Sequence, residues 1–335
     1  MLRVDSHYLW DSWMADDGEL YHLFFLMAPR SLGTPAKRHV NATVGRASSR
    51  DLTNWDYHGE CFGPSTSADE GNGGATGTRF DDLAIWTGSV VRDQERWRMF
   101  YTAVSNRGHH IYDQRVGSAV SDDLQHWERV SDQPSLLVDS RWYKTLATHP
   151  SPTEGPDLQN SSETWRDPVV FADPDGDGWH MLICARDVRA AKNDDGVIAH
   201  ATSPNLVDWT LGPPLCEPGA GFGQLEVVQN KCIDGRWVLV FTCHPQEMTE
   251  ERKVDLGLYC TWSVPAPGPL GPWDITKARG FEAEPDLFAA PLVQQRDGTW
   301  ALVGFRNLEP KGIDAFDITD PIPVTLDDES YLVAR

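Results

Sequence analysis

Five times along the chain, a tight turn rich in Asp and Gly gives way to a run of alternating apolar and aromatic residues. The copies are DDGELYHLFFL, RDQERWRMFYTA, DGDGWHMLICA, IDGRWVLVFTC and RDGTWALVGF. Each reads as a β-hairpin, because the turn residues suit a tight reversal and Trp, Tyr, Phe and Val suit a pleated, half-buried surface. A second element follows several of them: SSRDLTNWDYHG, SDDLQHWERV, SPNLVDWTLG and, more weakly, GPLGPWDIT. The copies lie further apart than the ~40 to 50 residues of familiar propeller repeats, a spacing compatible with four strands plus long loops. Helical periodicity is scarce, and 28 Gly and 23 Pro are spread throughout, so no linker divides the chain. The expected fold is all-β: a single five-bladed β-propeller over residues 1–335, whose radial repetition leaves few open sheet edges. Two stacked β-sandwiches are the competing arrangement, and five matching units fit that badly.

Composition narrows what such a ring would bind. With 40% apolar residues and 14 Trp there is ample material for a core. The net charge of −21 opposes nucleic acid and anionic membrane surfaces alike. The expected partner is therefore a small neutral molecule, with oligomeric state left open. No apolar run approaches the length of a bilayer span, and the opening MLRVDSHYLWDSW lacks the layout of a signal peptide, so the cytoplasm is the expected location. Cys61, Cys184, Cys216, Cys232, Cys243 and Cys260 form no C-x-x-C pair and are expected to be buried thiols rather than disulfides or zinc ligands.

In a propeller, the strand before each hairpin turn lines the central axis. Those strands are LWDSWMA, AIWTGSVV, TWRDPVVFA, QLEVVQNKC and FAAPLVQQ, and three of them carry a carboxylate: Asp11, Asp167 and Glu226. Burying a carboxylate costs several kcal/mol unless it is paired or hydrogen-bonded, so three in comparable places point to one shared site. Glycoside cleavage needs such a cluster, with one group attacking or activating water and another protonating the leaving oxygen. Repulsion and desolvation would raise one member into a proton donor near neutral pH. Trp10, Trp13, Trp86 and Trp165 would offer faces for sugar C–H groups.

The residues WDSW (10–13), WTGS (86–89), RDP (166–168) and a Glu on the fourth inner strand resemble the fructan-active enzymes of glycoside hydrolase families 32 and 68. WDSW is closest to the levansucrase side. WTGS, QRVGSAVSDDLQHW and FAAPLVQQRDGTWALVGFRN resemble the invertase side. The resemblance covers most of the chain in order, without the trailing β-sandwich of family 32. It implies a retaining β-fructofuranosidase mechanism in which Asp11 is the nucleophile, Glu226 the acid/base and Asp167 the transition-state stabiliser. Arg166 would orient the carboxylates, Trp86 and Ser89 would help form the pocket for the fructosyl ring, and no metal or other cofactor is implied. A transferase would use the same residues.

Two other readings stand beside this one. An inverting α-L-arabinofuranosidase or β-xylosidase of the family 43 type would use Asp11 as general base, and a silent sugar-binding propeller would use the acids only for binding. The acidic stretch DPDGDG (173–178) resembles half of a calcium loop but coincides with a hairpin turn, and the turn is the favoured reading. His109 and His110 are read as rim-loop residues, and His244 as adjacent to the pocket. The polar stretches PRSLGTPAKRHVNAT, GPSTSADEGNGGATGTRFDD and LATHPSPTEGPDLQNSSET are expected to rim the funnel and select the sugar.

Overall fold

The computed structural model describes residues 1–65, 79–94, 96–105, 113–150, 163–308 and 311–335. Five four-stranded antiparallel sheets follow one another along the chain. The first blade comprises β1 (His7–Asp16), β2 (Tyr21–Pro29), β3 (Thr43–Ser49) and β4 (Asp56–Phe62). The second holds β5 (Ala84–Asp93), β6 (Arg96–Ser105), β7 (Asp113–Ser121) and β8 (Glu128–Arg129). The third holds β9 (Trp165–Ala172), β10 (Trp179–Arg186), β11 (Gly196–Ser203) and β12 (Thr210–Leu211). The fourth is β13 (Glu226–Ile233), β14 (Arg236–Thr242), β15 (Thr261–Ala266) and β16 (Arg279–Gly280), with a short helix α1 (Glu250–Leu256) before β15. The fifth follows a two-residue strand β17 (Leu287–Phe288), which pairs with β20 (Phe305–Arg306). Its sheet is β18 (Leu292–Gln294), β19 (Trp300–Leu302), β21 (Ile322–Leu326) and β22 (Leu332–Ala334).

All five quoted hairpins are the connections between the first two strands of a blade. The stretch DPDGDG is the turn of the third of these, with Asp173 accepting from the backbone of Asp175 at 2.9 Å. The second repeated element is the turn between the third and fourth strands, built three times in the same way. A Ser oxygen accepts from the N–H of an Asp or Asn, whose own side chain accepts from the two N–H groups that follow the next residue. This occurs at Ser49–Asp51, Ser121–Asp123 and Ser203–Asn205. The next residue is each time a buried leucine with positive φ: Leu52, Leu124 or Leu206.

Each sheet has its first strand at one edge, and first strands of neighbouring blades pack on one another around the axis. The ring closes between its ends. Leu2 and Ile318 exchange two backbone hydrogen bonds of 2.9 and 3.0 Å, and Leu9 N–H donates to the Phe316 carbonyl at 3.0 Å. Arg296 clamps Asp16 through both terminal guanidinium nitrogens, at 2.5 and 2.7 Å, joining the fifth blade to the first.

Candidate active site

The innermost strands are all interrupted at the same level. The β1–β2 register slips between Trp10 and Ser12, and the β5–β6 register between Trp86 and Gly88. The same break leaves Asp167 and Pro168 unpaired opposite β10, and Val227 and Val228 opposite β14. In the fifth blade it separates β17 from β18. At three of these breaks a non-glycine residue takes positive φ: Asp167 at 57°, Val227 at 48° and Ala289 at 44°. Such conformations cost about 1–3 kcal/mol each and persist only where surrounding structure enforces them. At the β5 break the constraint is steric, because a Cβ on Gly88 would lie 2.0 Å from the Phe100 carbonyl oxygen. A bulge turns a side chain away from the strand's regular alternation. Here the turned residues are Asp11, Thr87 and Asp167, with Glu226 on the edge of the fourth break.

These side chains line one cavity of about 440 Å³ at the end of the axis, together with Trp10, Arg38, His39, Trp86 and Arg166. Asp11 accepts a hydrogen bond from the Thr87 hydroxyl at 2.8 Å. Arg166 donates to Glu226 through Nη2, while its Nε lies 3.7 Å from Asp167. The Asp167 carboxylate also accepts from the Val227 N–H at 3.3 Å, and its own N–H donates to Thr102 Oγ1 at 2.8 Å. Thr102 in turn donates to the Thr87 carbonyl at 2.8 Å, so one hydroxyl ties the second and third breaks together.

The electrostatics follow from this crowding. Burial raises Asp11 above its ordinary carboxyl value, against the Thr87 hydrogen bond and the positive charges of Arg38 and Arg166. Burial lifts Asp167 well above the usual range, and the negative charges of Glu226 and Asp11 push further in the same direction. Glu226 is raised by burial too, opposed by Arg166 and assisted by Asp11 and Glu247. Burial works against the charge on Arg166, yet the surrounding carboxylates, Glu226 foremost, hold it above the ordinary guanidinium value. His39 sits edge-on to both Trp10 and Trp86, and burial lowers it to about 3, so it is neutral at physiological pH. Its carbonyl accepts the Trp86 indole N–H at 2.7 Å, which fixes that ring at the cavity wall.

Of the residues expected from sequence, Asp11, Asp167, Glu226, Arg166, Trp10 and Trp86 converge on this cavity, and His244 lines it as well. Trp13 and Ser89 do not. Both lie one level further along the axis, beside a different cavity. The break at Asp11 sets Trp13 on the far side, where it stacks on Phe24 at 6.1 Å, and Ser89 Oγ accepts the Val170 N–H at 3.0 Å. Trp165 is fully buried against Tyr143 in the core and offers no face to a ligand. His109 and His110 lie outside the described residues. Sequence reasoning missed Thr87, Arg38, His39, Gln224, Glu247 and Asn307, all of which line the cavity. Thr87 was inside the quoted WTGS, and Arg38 and His39 inside the first polar stretch. Glu247 is held by Arg186 at 3.0 Å, within a buried chain of charges that runs on through Asp195 to Lys144.

Fold and site together define a five-bladed propeller with a carboxylate-lined axial funnel. The family model "Glycosyl hydrolases family 32 N-terminal domain" matches residues 12–264, and the chain belongs to that family. An invertase of Wickerhamomyces anomalus is 22% identical over 332 residues, an alignment that covers 92% of this chain and 50% of the invertase. The chain thus spans about half the length of that relative. An extracellular sucrase of Zymomonas mobilis is 24% identical over 318 residues, covering 83% of this chain and 71% of its own. Among solved structures, the inulosucrase from Halalkalicoccus jeotgali bound to kestose superposes with a TM-score of 0.73 at 22% identity, covering 99% of this chain and 89% of its own. Bacillus subtilis levansucrase does so with a TM-score of 0.68 at 14% identity, covering 98% and 88%. These two likenesses concern the fold.

Proposed function

We propose that the protein is a glycoside hydrolase that removes a terminal β-fructofuranosyl residue from a short oligosaccharide with retention of configuration. The observation that carries this reading is the convergence of Asp11, Asp167 and Glu226, from three blades, on one cavity, with the Arg166 guanidinium beside two of them. The family membership and the invertase and sucrase relatives support it. Asp11, whose carboxylate accepts the Thr87 hydroxyl with the charges of Arg38 and Arg166 in reach, attacks the anomeric carbon. Glu226, raised by burial and by the charge of Asp11, is the proton donor to the departing oxygen. A fructosyl ester on Asp11 follows, and Glu226, now ionised, deprotonates the water that cleaves it. Asp167, pinned by Val227 and Thr102, is the acceptor for fructosyl hydroxyls.

The test is turnover on sucrose, inulobiose and levanbiose. Glu226→Gln is expected to lose about 10²–10⁴-fold, the usual contribution of acid–base catalysis, and Asp11→Asn at least as much. If both keep wild-type turnover, the reading is wrong. Proton NMR of the first-formed anomer separates retention from the inversion that a family 43 type of mechanism would give.

A further inference from the structure

Past the breaks, the inner strands enclose a second cavity of about 310 Å³, further along the axis from the carboxylates. Its size falls within the ~300–1,000 Å³ of small-molecule sites. The walls are mostly apolar, with Trp13, Val90, Val170, Leu292 and Trp300 among them. Their polar content is one-sided. Lys231 lines the cavity, and among the described residues its ammonium has no hydrogen bond or ion pair. Ser12 Oγ and the Trp13 indole nitrogen are buried and have no partner among the described residues either. The indole N–H and the ammonium can only donate, and the hydroxyl is free to. Two of the acceptor-bearing side chains on the lining are already engaged. Asp16, on the same lining, is clamped by Arg296, and both ends of the Gln229 amide are bonded to the backbone at Ala290 and Leu292. A half-buried ammonium without a counter-charge, in a chain of net charge −21, is the unusual feature.

We propose that this second cavity binds a small organic carboxylate, its charged end on Lys231 and its apolar body against the tryptophan-lined wall. Surplus donors beside an apolar surface call for an anion with a hydrophobic part, which the neutral-sugar funnel does not. Burial lowers the Lys231 ammonium from its usual value, with no carboxylate to offset it, so a bound anion also restores the charge that desolvation disfavours.

Calorimetric titration of the whole protein with benzoate, its neutral isostere benzamide, and inorganic phosphate tests the proposal. Benzoate is expected to bind saturably at millimolar concentration or below, and benzamide about tenfold or more weakly, the scale of one charge-assisted hydrogen bond. Phosphate, lacking the apolar body, is expected to bind more weakly than benzoate. Lys231→Met is expected to lose benzoate binding by about tenfold or more and Lys231→Arg to keep it, with Lys231→Gln used if the methionine variant does not fold. Arg166→Gln is expected to leave benzoate affinity unchanged, because Arg166 belongs to the other cavity. Absence of saturable benzoate binding, equal affinity for benzamide, phosphate binding tighter than benzoate, or affinity that follows Arg166 instead of Lys231 would each overturn it.

Discussion

Arg166 is the cation on which the charge balance of the funnel turns. Its guanidinium lowers Asp11, Asp167 and Glu226 alike against a burial that raises all three. Arg166→Gln therefore lets each carboxyl rise further. In a retaining mechanism the acid limb of activity reports ionisation of the nucleophile and the basic limb reports loss of the proton from the acid. Both limbs move to higher pH in Arg166→Gln, and Glu226→Gln removes the basic limb; a pH–rate profile of kcat/KM that stays in place for Arg166→Gln refutes this assignment. Stability has a matching sign. A carboxyl whose folded value lies above its unfolded one stabilises the fold at low pH, and loses that contribution as pH rises through the folded value. The stability deficit of Arg166→Gln should thus widen from pH 5 to pH 8 in thermal melts. The carboxylates were legible in sequence because a charge inside an apolar strand demands a reason. Arg38 and His39 were not, because they reach the cavity from a short 3-10 helix, Pro35–Asn41, in the polar connection between β2 and β3, whose path no local pattern encodes.

At the scale of an element, the repeated turn between third and fourth strands sets two preferences against each other. Leu124 takes φ of 62°, where glycine is ordinarily favoured by about 1–2 kcal/mol, but its side chain is almost wholly buried. Removing a buried leucine costs about 2–5 kcal/mol. Leu124→Gly should therefore destabilise by up to about 4 kcal/mol in urea unfolding, despite relieving the backbone. A stabilised variant would show that strain, not burial, dominates there. These turns and the hairpins were readable because their side-chain chemistry is local. The interruptions of the inner strands were not. Asp167 at 57° and Val227 at 48° sit in WRDPVV and LEVVQ, which read as continuous strands, since the force that bends them comes from Thr102 and from the neighbouring blade. The break also decides where Trp13 lies: an uninterrupted strand would keep Asp11 and Trp13 on one face, and the break at Asp11 separates them.

A ring of blades closes on itself only if its first and last segments meet, and the Leu2–Ile318 exchange is where they do. Five hairpins in series announced the number of blades, but nothing local linked the first residues to those near 318, because that pairing depends on the whole ring being formed. Closure can be measured apart from the local packing it disturbs. A doubly hydrogen-bonded antiparallel pair has its Cα atoms about 5.5 Å apart, within the range a disulfide spans. Leu2→Cys combined with Ile318→Cys, in a Cys232→Ser background to remove the exposed thiol, would cross-link almost the full length of the chain. The oxidised and reduced forms share every side-chain loss, so their difference reports the link alone. Oxidation should add about 2–4 kcal/mol to the unfolding free energy and preserve a single transition, since the cross-link restricts the unfolded chain without altering the blades. An oxidised form no more stable than the reduced one in guanidinium titration would mean that the ends do not meet as described. A new early transition would mean that the blades unfold separately and the ring is not one cooperative unit.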